Sequence, residues 1–169
     1  KAKKIIFCRG FVDAKNPYFD WLPYLLVKGE ILTLKFNQNP KPFEALISRS
    51  CWIVSNENNL YKTGSTYEHE DLNSSITEGA RNSICERIEK LLQTTDYQVV
   101  NQEAGIRPST LDQRPFMGLH PKFPQLGIFN GLGTKGTSLA PYLSETFCDY
   151  LENKGELIAE SDILRYWKK

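Results

Sequence analysis

Histidine, methionine and patterned cysteine are what this sequence has least of. Only two histidines occur, His69 and His120, too few for an ordinary histidine metal centre. The cysteines Cys8, Cys51, Cys85 and Cys148 form no Cys-x-x-Cys pair, so neither a disulfide framework nor a zinc site is indicated. They are expected to be reduced, mostly buried thiols of a cytoplasmic protein. Neither sign of charge is in surplus, with 21 basic against 20 acidic residues. That balance gives no footing for nucleic acid or an anionic membrane surface, and Lys1, Lys3, Lys4, Lys168 and Lys169 read as solvated ends. No apolar run reaches membrane-spanning length, and no signal peptide is visible. No Ser/His/Asp set and no activated Cys–His pair is found, so covalent hydrolysis has little support. The only methionine is Met117, and the chain opens almost at once on Ile5-Ile-Phe-Cys8, which reads as a buried strand. The expectation is a longer protein whose upstream part is absent here.

What is present is the composition of a folded domain with a core, 40% hydrophobic and 12% aromatic. Residues 3–8 form a short strand ending in a turn at Arg9-Gly10, and residues 11–28 are loop-rich and aromatic. Residues 30–36 alternate apolar and polar side chains as a half-covered strand does. Asn37 to Pro42 reads as a turn, Phe43 to Val54 as a second strand, Asn56 to Asn59 as a hairpin turn, and Leu60 to Tyr67 as a returning strand. Residues 77–92 read as a helix with Thr77 as its N-cap and Ile84, Ile88, Leu91 and Leu92 on its apolar face. Strands follow at 97–106 and 127–130. A second helix spans 137–151 with Leu139, Leu143, Phe147 and Leu151 on one face, and a docked tail covers 163–167. Antiparallel hairpins with two helices make the fold class α+β.

Two segments offer chemistry. Arg107 sits between a strand and Pro108, which restricts the backbone on both sides. A guanidinium so held presents a planar, bidentate fork to a carboxylate. The commoner use of such an arginine is an ion pair with a structural carboxylate, for example Asp112. Gly131-Leu-Gly-Thr-Lys-Gly136 lies between a strand and a helix. Its glycines allow close backbone approach, and the helix start offers free N–H groups to negative charge. A plain strand-to-helix turn explains the same glycines, and the pattern lacks the βαβ context of a dinucleotide fingerprint. Trp52 and Tyr67 line the middle strands, where aromatic rings are more often core than pocket. Lys135 is either a solvated loop lysine or a charge beside an anionic cofactor.

Taken in order, several segments resemble the FAD-dependent D-amino-acid oxidase family, in particular its glycine oxidase-like and sarcosine oxidase-like members. They are Ile5-Ile-Phe-Cys-Arg-Gly10, Lys28-Gly-Glu-Ile-Leu-Thr33, Tyr61 to Glu68, Gly105-Ile-Arg-Pro-Ser-Thr110 with Asp112 and Pro115, and Gly127 to Pro141. They cover almost the whole chain. The resemblance implies three parts: residues 1–27 as the end of the FAD-binding core and a connector, 28–106 as the substrate-binding domain, and 107–169 as the return to the FAD-binding domain. The expected architecture is an antiparallel substrate-domain sheet with helices, plus the last strand and helix of an incomplete Rossmann-like FAD-binding domain.

The resemblance further implies that Arg107 holds the substrate carboxylate and that Trp52 and Tyr67 line the substrate. Gly10, Gly131, Gly133, Thr134, Lys135, Gly136 and Thr137 would contact FAD. The reaction implied is hydride transfer to flavin from the carbon bearing an amine, in a small amine or amino acid. Three departures stand out. The N-terminal strand–Gly-x-Gly-x-x-Gly–helix that grips the ADP part of FAD is not in the sequence. No cysteine matches the covalent flavin tether of sarcosine oxidases, so FAD would be non-covalent. Thr134 stands where some glycine oxidase-like members carry an arginine. By itself the chain is expected to be inactive, to expose apolar surface around Ile5, Ile6 and Ile128, and to associate with itself or with the missing N-terminal FAD-binding half. The alternative is a non-catalytic binding domain, derived from such an oxidase, that no longer binds FAD.

Overall fold

The computed structural model describes residues 1–37 and 46–167. The chain divides into two compact units, one formed by residues 1–27 and 107–169, the other by residues 28–106. No helix of the described residues is long and apolar enough to cross a membrane.

The second unit is a sheet backed by a helix. Its strands are β2 (Val27–Phe36, beginning at the unit boundary), β3 (Ile47–Ser48), β4 (Trp52–Ser55), β5 (Leu60–Gly64) and β6 (Tyr97–Arg107, ending at the other boundary), in the order β3-β4-β5-β2-β6. β5 runs antiparallel to both neighbours, with Ile53 opposite Thr63 and Leu32 opposite Thr63. The expected single strand over 43–54 is instead a hairpin: Arg49 N–H returns to the Cys51 carbonyl and Ile47 pairs with Ile53. Residues 38–45, which hold most of the expected 37–42 turn and the start of that strand, lie outside the described residues. The β4–β5 turn places Asn58 and Asn59 at positive φ, a conformation asparagine adopts more readily than most residues. Helix α1 (Glu78–Leu92) is capped by the Thr77 hydroxyl, which accepts from Ala80 N–H. Its Ile84 and Ile88 are fully buried against Leu32, Leu34, Ile53 and Tyr61 of the sheet.

The first unit carries β1 (Ile5–Phe7), β7 (Phe116–Leu119) and β8 (Leu126–Asn130) in the order β1-β8-β7, with β1 parallel and β7 antiparallel to β8. β7 has no counterpart among the sequence-based expectations. It is short, and a glycine and flanking prolines hide its alternation. Helix α2 (Gly136–Leu151) buries Leu143 and Phe147 on Met117. Asp162 caps a final 3-10 turn, Ile163–Tyr166.

Two expectations fail in this unit, and a third fails across both. β1 is not a buried strand: Ile5 is 52% exposed, because only one edge of β1 pairs with β8. Ile128 is fully buried, not part of an apolar surface, because Phe19, Phe116 and Ile163 share a cluster with it. Of the cysteines, Cys51 alone is buried; all four are free, and Cys8 and Cys148 are exposed.

Candidate active site

In the first unit the glycine-rich loop is fixed from both sides. Asn130, the last residue of β8, is 4% exposed. Its Nδ2 donates to the Gly10 carbonyl at 2.8 Å and to Asp13 Oδ2 at 3.0 Å, and its Oδ1 accepts from Gly131 N–H at 2.8 Å. Asp13 has no exposed surface and is satisfied further by the Arg9 backbone N–H and guanidinium, the closest contact being 2.7 Å. A buried carboxylate needs such donors. The result ties Gly10, after β1, to Gly131, after β8. Neither Asp13 nor Asn130 was singled out from sequence.

The loop then runs onto the turn that follows Arg107. Gly131 has φ +73°, and a Cβ there would lie 2.6 Å from Thr110 Cγ2 and 3.1 Å from Phe116 Cδ2. Gly133 has φ +52°; its N–H donates to the Pro108 carbonyl at 3.3 Å, and a Cβ would lie 3.0 Å from Ser109 Oγ. Only glycine fits both the conformation and the space. The structure thus brings Gly131 and Gly133 against Pro108, Ser109 and Thr110, in sequence with Arg107 at the end of β6. Asp112 is engaged by Arg165, whose Nε lies 3.1 Å from Oδ2. Burial opposes ionisation of Asp112, but hydrogen bonds from Tyr166, Arg165 and the Arg114 N–H outweigh it and hold the carboxyl down at about 2.

Thr134 and Lys135 lie exposed in the 3-10 turn Gly133–Lys135, and Gly136 and Thr137 begin α2. No side chain caps this helix and no acidic residue stands in its first turn. Around Gly136 an added Cβ would find only Leu132 Cβ, at 3.7 Å. The helix start therefore keeps its positive end available to an anionic group.

In the second unit, neither Trp52 nor Tyr67 belongs to the buried core cluster. Trp52 is half-buried on β4, opposite Gly64 on β5, and its carbonyl accepts from the Thr63 hydroxyl at 2.7 Å. Tyr67 is 63% exposed, on the rim of a cavity of about 620 Å³. Drug-sized ligand sites commonly measure roughly 300–1,000 Å³. At the cavity floor are Lys28 and Glu30, two residues apart on β2 and each 2% exposed. They escaped notice in the sequence because nothing in Lys-Gly-Glu marks buried charge: their partners Asn73, Thr77 and Gln102 lie far along the chain. The available signal was their spacing, which puts both on the same face as Leu32 and Leu34.

Comparison with known proteins identifies the family and several relatives. Residues 1–150 match the family described as FAD dependent oxidoreductase, DAO. Glycine oxidase of Bacillus subtilis (strain 168) is 27% identical over 132 residues, which is 78% of this chain and 36% of that protein. Glycine oxidase of Pseudomonas aeruginosa is 26% identical over 138 residues, 81% of this chain and 38% of that protein. The chain thus spans little more than a third of the curated relatives it matches. Among solved structures, iminodiacetate oxidase from Chelativorans sp. BNC1 superposes with a TM-score of 0.81 at 21% identity, over 98% of this chain and 46% of that one. Glycine oxidase from Bacillus cereus ATCC 14579 gives a TM-score of 0.79 at 22% identity, over 94% and 45%. These likenesses show a shared mixed α+β fold. The family match covers most of the sequence, and the chain belongs to the FAD-dependent oxidoreductase family.

Proposed function

We propose that this member of the FAD-dependent oxidoreductase family forms part of an oxidase of small amines or amino acids that carry a carboxylate. The observation that carries the reading is the seating of the Gly131–Gly133 loop on Pro108–Thr110, beside Arg107 and before the uncapped start of α2. A carboxylate-binding arginine and an anion-accepting helix start thereby come from one stretch of one unit. In this reading residues 28–106 are the substrate-binding domain, and 1–27 with 107–169 belong to the FAD-binding part. Turnover is assigned to the longer protein whose other portion completes FAD binding.

The residues present fit the cofactor. The first turn of α2 has neither a capping side chain nor a competing acid, so Gly136 and Thr137 can face the negatively charging edge of reduced flavin. Gly131 and Gly133 let the backbone approach, Gly10 lies on the other side of Asn130, and Thr134 and Lys135 add exposed polar groups. Binding is non-covalent. FAD held by these residues would supply the hydride acceptor for oxidation at the carbon bearing the amine, with oxygen or another acceptor as the final oxidant. The Arg107 guanidinium orients the substrate through its carboxylate, and Trp52 and Tyr67 are assigned to the substrate wall.

The test is the visible spectrum of the full-length protein. Flavin bands that bleach on adding glycine or N-methylglycine are expected. A protein that stays colourless after incubation with FAD would overturn the oxidase reading in favour of a binding domain that has lost the cofactor. In the flavin-loaded protein, Arg107→Ala should weaken carboxylate ligands about tenfold or more, since a hydrogen bond to a charged group contributes about 1.5–3 kcal/mol. Unchanged affinity for every carboxylate would remove Arg107 from that role.

A further inference from the structure

The cavity of the second unit holds a charge arrangement that none of these assignments uses. Glu30 and Lys28 lie side by side, yet they are unequally satisfied. Glu30 Oε1 accepts from the Thr77 hydroxyl at 2.9 Å, and Oε2 accepts from Thr77 N–H at 2.9 Å and Gln102 Nε2 at 2.7 Å. The Lys28 ammonium has three donors to place. Asn73 Oδ1 takes one at 3.1 Å, while Asp71 Oδ2 at 3.5 Å and Glu30 Oε1 at 3.8 Å are longer. Ordinary N–H···O bonds measure about 2.7–3.2 Å. A buried ammonium with donor capacity to spare favours an added acceptor.

Arg87, on the α1 side of the same cavity, repeats the pattern. Its Nε donates to the Ser83 carbonyl at 3.0 Å, and its Nη1 to the carbonyls of Ser65 at 3.1 Å and Ser50 at 3.4 Å. Its Nη2 makes no hydrogen bond among the described residues. The remaining carboxylates of the lining, Glu68 and Asp71, are exposed. Water screens them, whereas the buried Lys28 ammonium is screened less and Arg87 is half-buried. The one carboxylate at the floor, Glu30, is already taken up by Thr77 and Gln102, so donor capacity remains on Lys28 and Arg87.

We propose that this cavity binds a small molecule through a carboxylate held by Lys28 and Arg87. The volume exceeds a bare carboxylate, so the ligand carries a polar body that the Ser83 hydroxyl and the Tyr67 rim can contact. The carboxylate belongs either to an acidic substrate or to a separate effector of the same chemistry.

Titration calorimetry of the full-length protein with succinate, and with succinamide as its uncharged counterpart, tests this without turnover, so it stands apart from the flavin reading. Succinate should bind at least tenfold more tightly than succinamide. Lys28→Met and Arg87→Gln should each weaken succinate at least tenfold. Gly79→Leu guards against misfolding as an explanation. A Cβ built there meets nothing within 4 Å and Gly79 lines the cavity, so the variant is expected to fold normally, fill part of the open space and reduce binding. Equal binding of the two ligands, no binding of either, or variants that leave succinate affinity unchanged would overturn the proposal. A loss in both Arg107→Ala and Lys28→Met would assign the carboxylate to the substrate. A loss in Lys28→Met alone would assign it to a separate effector.

Discussion

The two units build their polar sites from opposite materials. In the first, backbone does most of the work: Gly131 and Gly133 bring the chain close to Pro108–Thr110, and a helix start supplies partial charge. Its buried carboxylate among the described residues, Asp13, is saturated by Arg9 and Asn130. In the second, side chains do the work: Lys28, Glu30 and Arg87 surround open volume, with one partner saturated and two not. A backbone-built site tolerates few changes at its glycines. A site built from side chains is exposed to loss of any charged partner.

The sharpest way to break this comparison is Glu30→Ala. It leaves the Lys28 ammonium with weaker neighbours and strips Thr77 and Gln102 of their acceptor. Removing one partner of a buried ion pair costs about 3–5 kcal/mol. A large fall in the urea midpoint of the full-length protein is expected. The double change Lys28→Met with Glu30→Leu should recover much of it, because an apolar pair leaves no charge behind. A Glu30→Ala midpoint within error of the wild type would mean that the pair carries no structural charge.

Next in size is a glycine pair in the first unit. Gly131→Ala places a methyl 2.6 Å from Thr110 Cγ2 at a φ of +73°, and should destabilise by about 1–3 kcal/mol. Gly136→Ala meets nothing nearer than 3.7 Å and sits at helical φ, so it should stabilise by about 0.4–1 kcal/mol. Melting temperatures of opposite sign relative to the wild type are the expected result. Equal shifts would show that the loop does not press on Thr110.

The same contrast explains what was legible in the sequence. Glycines, Pro108, Thr77 and the apolar stripe of α1 announce local geometry, because each residue type has a narrow set of backbone uses. Helix α1 and the Gly131–Gly136 turn were therefore readable from spacing, and the strand-end position of Arg107 from Pro108. Strand β7 was not, because Pro115 precedes and Gly118 interrupts four residues with no room for alternation. The break between β3 and β4 was not, because Ser48-Arg-Ser-Cys51 carries no glycine, proline or asparagine to mark a turn. Asp13, Asn130, Lys28 and Glu30 acquire meaning only from partners far away in sequence, such as Gln102 for Glu30.

The smallest effect separates the units by pH. His120, in the first unit, is 5% exposed among Phe19, Trp21, Phe123 and Trp167. Its Nδ1 accepts from Lys122 N–H at 3.0 Å and Phe123 N–H at 3.1 Å, which requires that nitrogen to be unprotonated. Burial, and then the Lys122 charge, push its pKa below the usual 6.5, against a backbone hydrogen bond to Tyr18 that raises it. Between the folded value and 6.5 the unfolded chain therefore binds more protons, so stability rises with pH across that window. It is complete above 6.5 and shrinks as pH falls below it. His69, in the second unit, is exposed and has no such enclosure. His120→Asn keeps an acceptor for the two N–H groups but cannot take up a proton. Unfolding midpoints from pH 7.5 down to 5.5, a range of about one unit either side of an ordinary histidine, should fall for the wild type and flatten for His120→Asn, even if its overall stability is lower. Parallel slopes for the two proteins would move the pH response out of the first unit's aromatic cluster.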